Sequence, residues 1–219
     1  MKIGDIEMHR LFLGNMRVCG GPVFGIIPKK IWNRYIECDQ YNRITAAIYS
    51  LLIIKDDFVV VLDTGFGDKM NDKVLNSYGV ENNTTVSKAI KEAGYYVGDI
   101  THCILSHLHV DHCGGCTKIE DGRIVPSFPN AKYYIQQKEY DDAISPTRRT
   151  KATYFPDNFE PLYEQGKLIL LNGIKRITPF ITVHPTEGHV NAMNIIEISA
   201  GDKKIYYPGD LIGQKELAH

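Results

Sequence analysis

An α/β fold in one domain is the class this sequence predicts, on three observations. Apolar runs of strand length recur in both halves of the chain. Helix-type signals lie beside each strand-rich half, and 219 residues suffice for one sizeable core but not for two comfortable domains. No repeat of fixed short period and no low-complexity segment breaks this pattern.

Ile6 to Leu13 alternate weakly between apolar and polar residues and read as a first strand. A Gly- and Pro-rich stretch follows from Cys19, with apolar side chains that a plain linker does not need, and then Trp32, the only tryptophan. Residues 19–35 are thus either a lid over a substrate site or a loop packed on the core. Thr45–Ile54 and Phe58–Leu62 read as long apolar strands, joined by a short hairpin connection at Lys55-Asp56-Asp57.

Thr84 or Thr85 can cap a helix running through Val86, Ala89, Ile90 and Ala93, with Gly94 at its end. Cys103-Ile104-Leu105 closes a buried strand, Ala131–Ile135 is another, and Gln136–Ala143 is a short helix. Residues 145–161 form a second irregular insert carrying three prolines with Arg148, Arg149, Tyr154 and Phe155. Leu168–Leu171, Phe180–Val183, Asn194–Ile198 and Lys204–Tyr207 complete the strands.

The chemistry is concentrated in Ser106-His107-Leu108-His109-Val110-Asp111-His112-Cys113-Gly114-Gly115, directly after a strand. Three imidazoles and a carboxylate fall within six residues, which no packing argument requires. His107 and His109, two apart on a turning backbone, can aim at one point; Asp111 and His112 can aim at a second. Imidazole nitrogen and carboxylate oxygen are the donors that zinc and similar divalent ions take in hydrolytic sites. The following glycine pair permits a sharp turn and a close approach. Cys113 and Cys116 make a CxxC beside this cluster, but without a second pair they read better as small buried residues than as a redox or metal motif.

At these residues the chain resembles the metallo-β-lactamase superfamily, whose signature is HxHxDH. Other pieces match in order: Asp63-Thr64-Gly65 before it, Gly188-His189 and Gly209-Asp210 after it. The resemblance implies an αβ/βα sandwich of two mixed sheets flanked by helices, with the metal site at one edge. It implies one ion on His107, His109 and His189, a second on Asp111 and His112, and Asp210 touching both. Asp63 would orient the ligand loop, though capping of a turn competes with that role. Glu187 stands where the family has a proline.

The activity implied is hydrolysis by a metal-bound hydroxide, since a divalent ion lowers the pKa of its water to about 7. Asp111 would be the catalytic proton shuttle, or a ligand only. Two zinc ions are expected, with iron or manganese suited to the same donors. The family's last histidine, normally well beyond the bridging Asp, has no counterpart in the nine residues after Asp210 except His219. A chain incomplete at its C-terminal side and a weaker second metal follow as expectations. Asp210 argues against the β-lactamase subclasses and leans toward the lactonase-like branch, although Gly213 stands where acyl-homoserine lactonases carry a tyrosine. The substrate expected is an ester, lactone or related small molecule. A phosphodiesterase or nuclease of the same superfamily, or a non-catalytic metal-binding scaffold, is the alternative.

A formal net charge of −1 gives no global pull toward nucleic acid or an acidic membrane surface. No apolar signal core opens the chain and no run approaches a membrane span. Five cysteines, an odd number, suit reduced thiols and a cytoplasmic protein better than a disulfide framework. The partner expected is a small-molecule substrate, with neither membrane nor nucleic acid; homo-oligomerisation is left open.

Overall fold

Alternation along the strands decides the layering. The computed structural model describes residues 1–213, so His219 lies outside the described residues. β1 (Lys2–Ile3), β2 (Ile6–Cys19), β3 (Arg43–Lys55) and β4 (Phe58–Leu62) pair antiparallel, and β5 (His102–Ile104) joins β4 parallel. A separate hairpin, β6 (Thr117–Glu120) and β7 (Arg123–Pro126), comes next; β8 (Lys132–Gln136) and β9 (Leu168–Leu171) then complete a mixed sheet ordered β1-β2-β3-β4-β5-β8-β9. A second sheet holds β10 (Lys175–Thr178), β11 (Ile181–Thr186), β12 (Met193–Ala200) and β13 (Lys203–Tyr207), antiparallel throughout its described strands.

Successive side chains on a strand point to opposite faces. Val60, Leu62 and Ile104 therefore meet Ile181, Val183, Ile196 and Ile198 of the second sheet in one core. Val61, Cys103 and Leu105 face the other way, into a second core closed by helices. In chain order the helices are α1 (Gly20–Phe24), α2 (Lys29–Trp32), α3 (Asp72–Ser77), α4 (Val86–Glu92), α5 (Val110–Cys113), α6 (Gln137–Ile144) and α7 (Glu160–Glu164). Val86, Ala89 and Ile90 of α4, Tyr140 and Ala143 of α6, and Leu162 of α7 supply the helical side of that core. Thr85 caps α4 by accepting the Lys88 amide, and Gly94 takes φ +91 just past the C-cap Ala93.

Two expectations are refined. β2 runs six residues past Leu13, because a bulge between Phe12 and Gly14 lets its pairing with β3 continue to Cys19. Residues 19–35 form α1 and α2 at the tip of that hairpin, where Phe24 stacks on Trp32 at 4.6 Å and both pack with Ile44 in a cluster of their own. The hydrogen bonds described for this segment stay within residues 19–43, so it packs on its own small cluster at the hairpin tip rather than on either main core. The hairpin β6–β7, strand β10 and α3 carry too little apolar periodicity to be read from sequence.

Candidate metal centre

The strand β5 delivers the ligand loop and β4, its parallel neighbour, delivers Asp63, so two strand ends bring the two segments together. Asp63 takes φ +55, a left-handed conformation that an aspartate tolerates better than most residues. Its Oδ1 accepts the Ser106 amide at 2.7 Å; its Oδ2 accepts the Ser106 hydroxyl at 2.7 Å and the Tyr207 hydroxyl at 2.8 Å. Nδ1 of His112 reaches the same Oδ2 at 2.8 Å. The competing turn-capping role is absorbed here: the carboxylate does anchor backbone, but that backbone is the ligand loop.

These contacts set the tautomers. Asp63 is an acceptor, so Nδ1 of His112 donates to it and Nε2 is the nitrogen turned toward Asp111 and Asp210. The single Ser106 proton goes to Asp63, so Nδ1 of His107, 3.0 Å from that hydroxyl, is the donor there. Nε2 of His107 is then a lone pair that is fully buried and, among the described residues, without a hydrogen-bond partner.

Around it the imidazoles converge. The His107 ring centroid lies 4.5 Å from His109, 4.1 Å from His112 and 4.8 Å from His189. His189, in the loop between β11 and β12, brings Nε2 to 2.9 Å from Nδ1 of His109. Asp210, just after β13, places Oδ1 3.2 Å from Nε2 of His112 and Oδ2 3.5 Å from Nε2 of His189. Asp111 sets Oδ2 3.5 Å from Nε2 of His112. Two groups of donor atoms result, each within 4.8 Å: His107, His109 and His189 in one, His107, His112 and Asp210 in the other. All six residues picked from the sequence are thus brought together, with His107 common to both groups and Asp111 beside the second.

The donors fit a divalent ion. Burial, and then the neighbouring imidazoles His112, His109 and His189, hold the His107 pKa well below the usual value, so its ring is a neutral donor. Burial likewise pushes His109 down to about 4, with His189 adding to it. Burial also opposes charge on His112, but Asp210, Asp111 and Asp63 outweigh it and hold that imidazole well above its usual range. Burial would raise the Asp210 carboxyl, yet His112 keeps it well below the usual carboxylate range. An orphaned lone pair among packed imidazoles, faced by carboxylates, is the environment a cation satisfies.

The glycine pair serves a purpose other than approach to the ligands. A Cβ on Gly114 would strike the carbonyl oxygen of Phe66, and one on Gly115 that of Thr64. The turn after α5 thereby packs directly on the Asp63 loop, with Thr64 N–H on His112 O at 2.6 Å and Gly115 N–H on Gly65 O at 3.0 Å. Lys69 ties the same turn by donating to the Gly114 and Thr117 carbonyls, both at 2.6 Å. Cys113 and Cys116 are buried and belong to neither donor group, as small packed residues would be. Glu187 is exposed and pairs with Lys138 at 3.1 Å.

Sequence reasoning assigned no role to Ser106, Tyr207, Glu139 or Asn194. Ser106 had a signal, standing next to His107. Asn194 has none: its amide NH₂ donates to Leu105 O at 2.8 Å and its backbone N–H to Ser106 O at 2.7 Å, tying β12 to the ligand strand.

A helix-sheet-sheet stack with imidazoles and carboxylates gathered at one edge defines a class of proteins built to hold divalent ions. The chain belongs to the metallo-beta-lactamase superfamily, whose family model matches residues 45–219. It is 24% identical over 198 residues to a probable metallo-hydrolase of Mycobacterium bovis, an alignment covering 80% of this chain and 61% of that protein. The chain therefore spans about three fifths of the length of the curated relatives it matches first. A probable metal-dependent hydrolase from Staphylococcus aureus superposes with a TM-score of 0.88 at 30% identity, over 96% of this chain and 75% of that one. AidC, a dizinc quorum-quenching lactonase in complex with a product, gives 0.75 at 25% identity, over 97% of this chain and 74% of its own.

Proposed function

We propose that this chain is a metal-dependent hydrolase, holding two zinc ions on His107, His109, Asp111, His112, His189 and Asp210 and cleaving an ester, lactone or related small-molecule bond. The observation that carries this reading is the Asp210 carboxylate, one oxygen toward His112 and the other toward His189, the arrangement of a group shared by two ions. Likeness to a dizinc lactonase and to metal-dependent hydrolases supports both the metal and the reaction class. Divalent ions bound there supply activated water and polarise the scissile group. The chain's own part is to orient the rings of His107 and His112 through Ser106 and Asp63, His107 being neutral already and His112 having to release its Nε2 proton before it could serve as a ligand. Asp111, partly exposed next to His112, takes the proton-shuttling role toward the leaving group.

The substrate is a small molecule. Net charge gives no basis for nucleic-acid binding, and among the described residues no helix is long and apolar enough to cross a membrane. Five free cysteines, three of them buried, support a reducing, cytoplasmic compartment. Metal analysis of the purified chain, with assays on p-nitrophenyl acetate, simple lactones and bis-p-nitrophenyl phosphate, tests the proposal. Zinc content with ester or lactone turnover is the expected result. Preference for the phosphodiester would favour the phosphodiesterase alternative, and one tight ion without turnover a scaffold.

A further inference from the structure

We infer that Glu139 is a positioning residue of the metal centre, its buried carboxylate fixing the backbone between His107 and His109 and, through Tyr154, the ring of His109. The inference rests on the reading of His107, His109 and His189 as metal ligands.

Three alternate amides of the ligand loop are held by groups outside it. Ser106 N–H goes to Asp63 at 2.7 Å, Leu108 N–H to Glu139 Oε1 at 2.9 Å, and Val110 N–H to the Thr153 carbonyl at 3.1 Å. Between these anchors stand His107 and His109. Asp63, on one side, pairs its amide anchor with a direct contact to the His112 ring. Glu139, on the other, repeats that pairing at one remove: Oε1 also accepts the Tyr154 hydroxyl at 3.2 Å, and the Tyr154 ring packs against His109 at 5.1 Å. Each carboxylate therefore holds one loop amide and steadies one imidazole.

Stability alone does not account for a glutamate here. Glu139 is fully buried, and among the described residues no cation pairs with it and its Oε2 has no hydrogen-bond partner. A buried carboxylate lacking a counter-charge costs more than a neutral side chain of the same shape. What it supplies is a single oxygen on a helix that accepts from both donors. Its two donors come from the ligand loop and from residues 145–161, so the insert and the metal centre are joined at one atom. An insert clamped in this way forms a fixed wall beside His109.

The test uses the full chain and cobalt(II), with affinity measured by chelator competition and geometry by the visible absorption of the bound ion. Glu139→Ala is expected to weaken cobalt binding ten- to a hundredfold, the usual effect of losing a partner that orients a ligand, and to shift the ligand-field bands. Glu139→Gln keeps an acceptor oxygen for both donors and should restore binding to within a few-fold of the original chain. Tyr154→Phe keeps the ring against His109 but frees it from Glu139, and should shift the bands while leaving the Leu108 anchor intact. Thermal melts of the metal-free variants report on folding separately. Wild-type affinity and spectrum in folded Glu139→Ala would overturn the positioning role and leave the metal reading standing. If Glu139→Ala does not fold, an unchanged spectrum in Tyr154→Phe overturns it instead. A parent chain that binds no cobalt would overturn the metal reading itself, and this inference with it.

Discussion

Nδ1 of His112 lies 2.8 Å from Oδ2 of Asp63, an aspartate that is itself fully occupied by Ser106 and Tyr207. Asp63→Asn replaces one acceptor oxygen by an amide NH₂ facing donors. The expected outcome is a loss of about 1–3 kcal/mol in stability, from buried donors left without acceptors. Metal affinity should fall about ten- to a hundredfold. Urea denaturation and chelator competition check the two separately.

His107 is common to both donor groups, while His189 belongs to one. His107→Ala should therefore deplete both ions and His189→Ala chiefly the first. His109→Ala should resemble His189→Ala. Elemental analysis of the purified variants decides it, and full metal retention in His107→Ala would remove the basis for the ligand assignment.

Asp210 faces both groups, and without its charge two cations close together lose the anion between them. Asp210→Asn should leave at most one tightly held ion and lower turnover by about 100-fold or more, which is about 3 kcal/mol in the barrier. Two retained ions with normal turnover would exclude a bridging role.

Gly114 meets the Phe66 carbonyl where a Cβ would sit, and both partners are backbone, so neither can swing aside. Gly114→Ala should destabilise the metal-free chain by about 1–3 kcal/mol, the cost of overpacking. It should weaken metal binding as well, because the Asp63 loop must move. Gly122→Ala, at an open turn where only the positive φ opposes a side chain, should cost less.

Burial lifts the Glu139 carboxyl to about 7, against the Leu108 amide and Tyr154 hydroxyl that favour its charged form, with Asp142 on the same helix raising it further. The folded state then holds a proton that the unfolded chain has already released above its ordinary value of 4.5. Stability contributed by this group is present at low pH and falls as pH rises from about 4.5 to about 7, by about 3 kcal/mol in total. The buried imidazoles His107 and His109 contribute with the opposite slope, so the comparison must be with Glu139→Gln in metal-free protein. Between those pH values the difference between variant and parent should shift in favour of the variant. A constant difference would show that Glu139 is ionised throughout.

Local pattern determined much of this protein from sequence. The apolar runs 45–54 and 58–62 became β3 and β4 nearly residue for residue, since Leu52, Ile53 and Val60 to Leu62 are buried on successive positions, although Thr45, Ala47 and Tyr49 of β3 face solvent. Thr85 and Gly94 bounded α4 by capping chemistry that acts over three or four residues. The ligand loop was legible for the same reason: donors packed into six residues converge through a single bend.

Only the tertiary structure decided who holds those donors. Asp63 and Tyr207 are separated by 144 positions, and Glu139 stands 31 from Leu108. Glu139 meets Leu108 because parallel pairing of β5 and β8 sets their C-terminal ends side by side, and Tyr207 meets Asp63 from the end of β13 in the other sheet; neither arrangement leaves a mark in local periodicity. The glycine pair after His112 could be read as flexible, but not as the contact surface for the Thr64 and Phe66 carbonyls. The 19–35 segment could be read as apolar, but its packing on Ile44 depends on how far the β2–β3 ladder extends. Composition and spacing specify which chemistry is present; the register of distant strands specifies which oxygen each imidazole faces, and so which of its nitrogens is left for a metal.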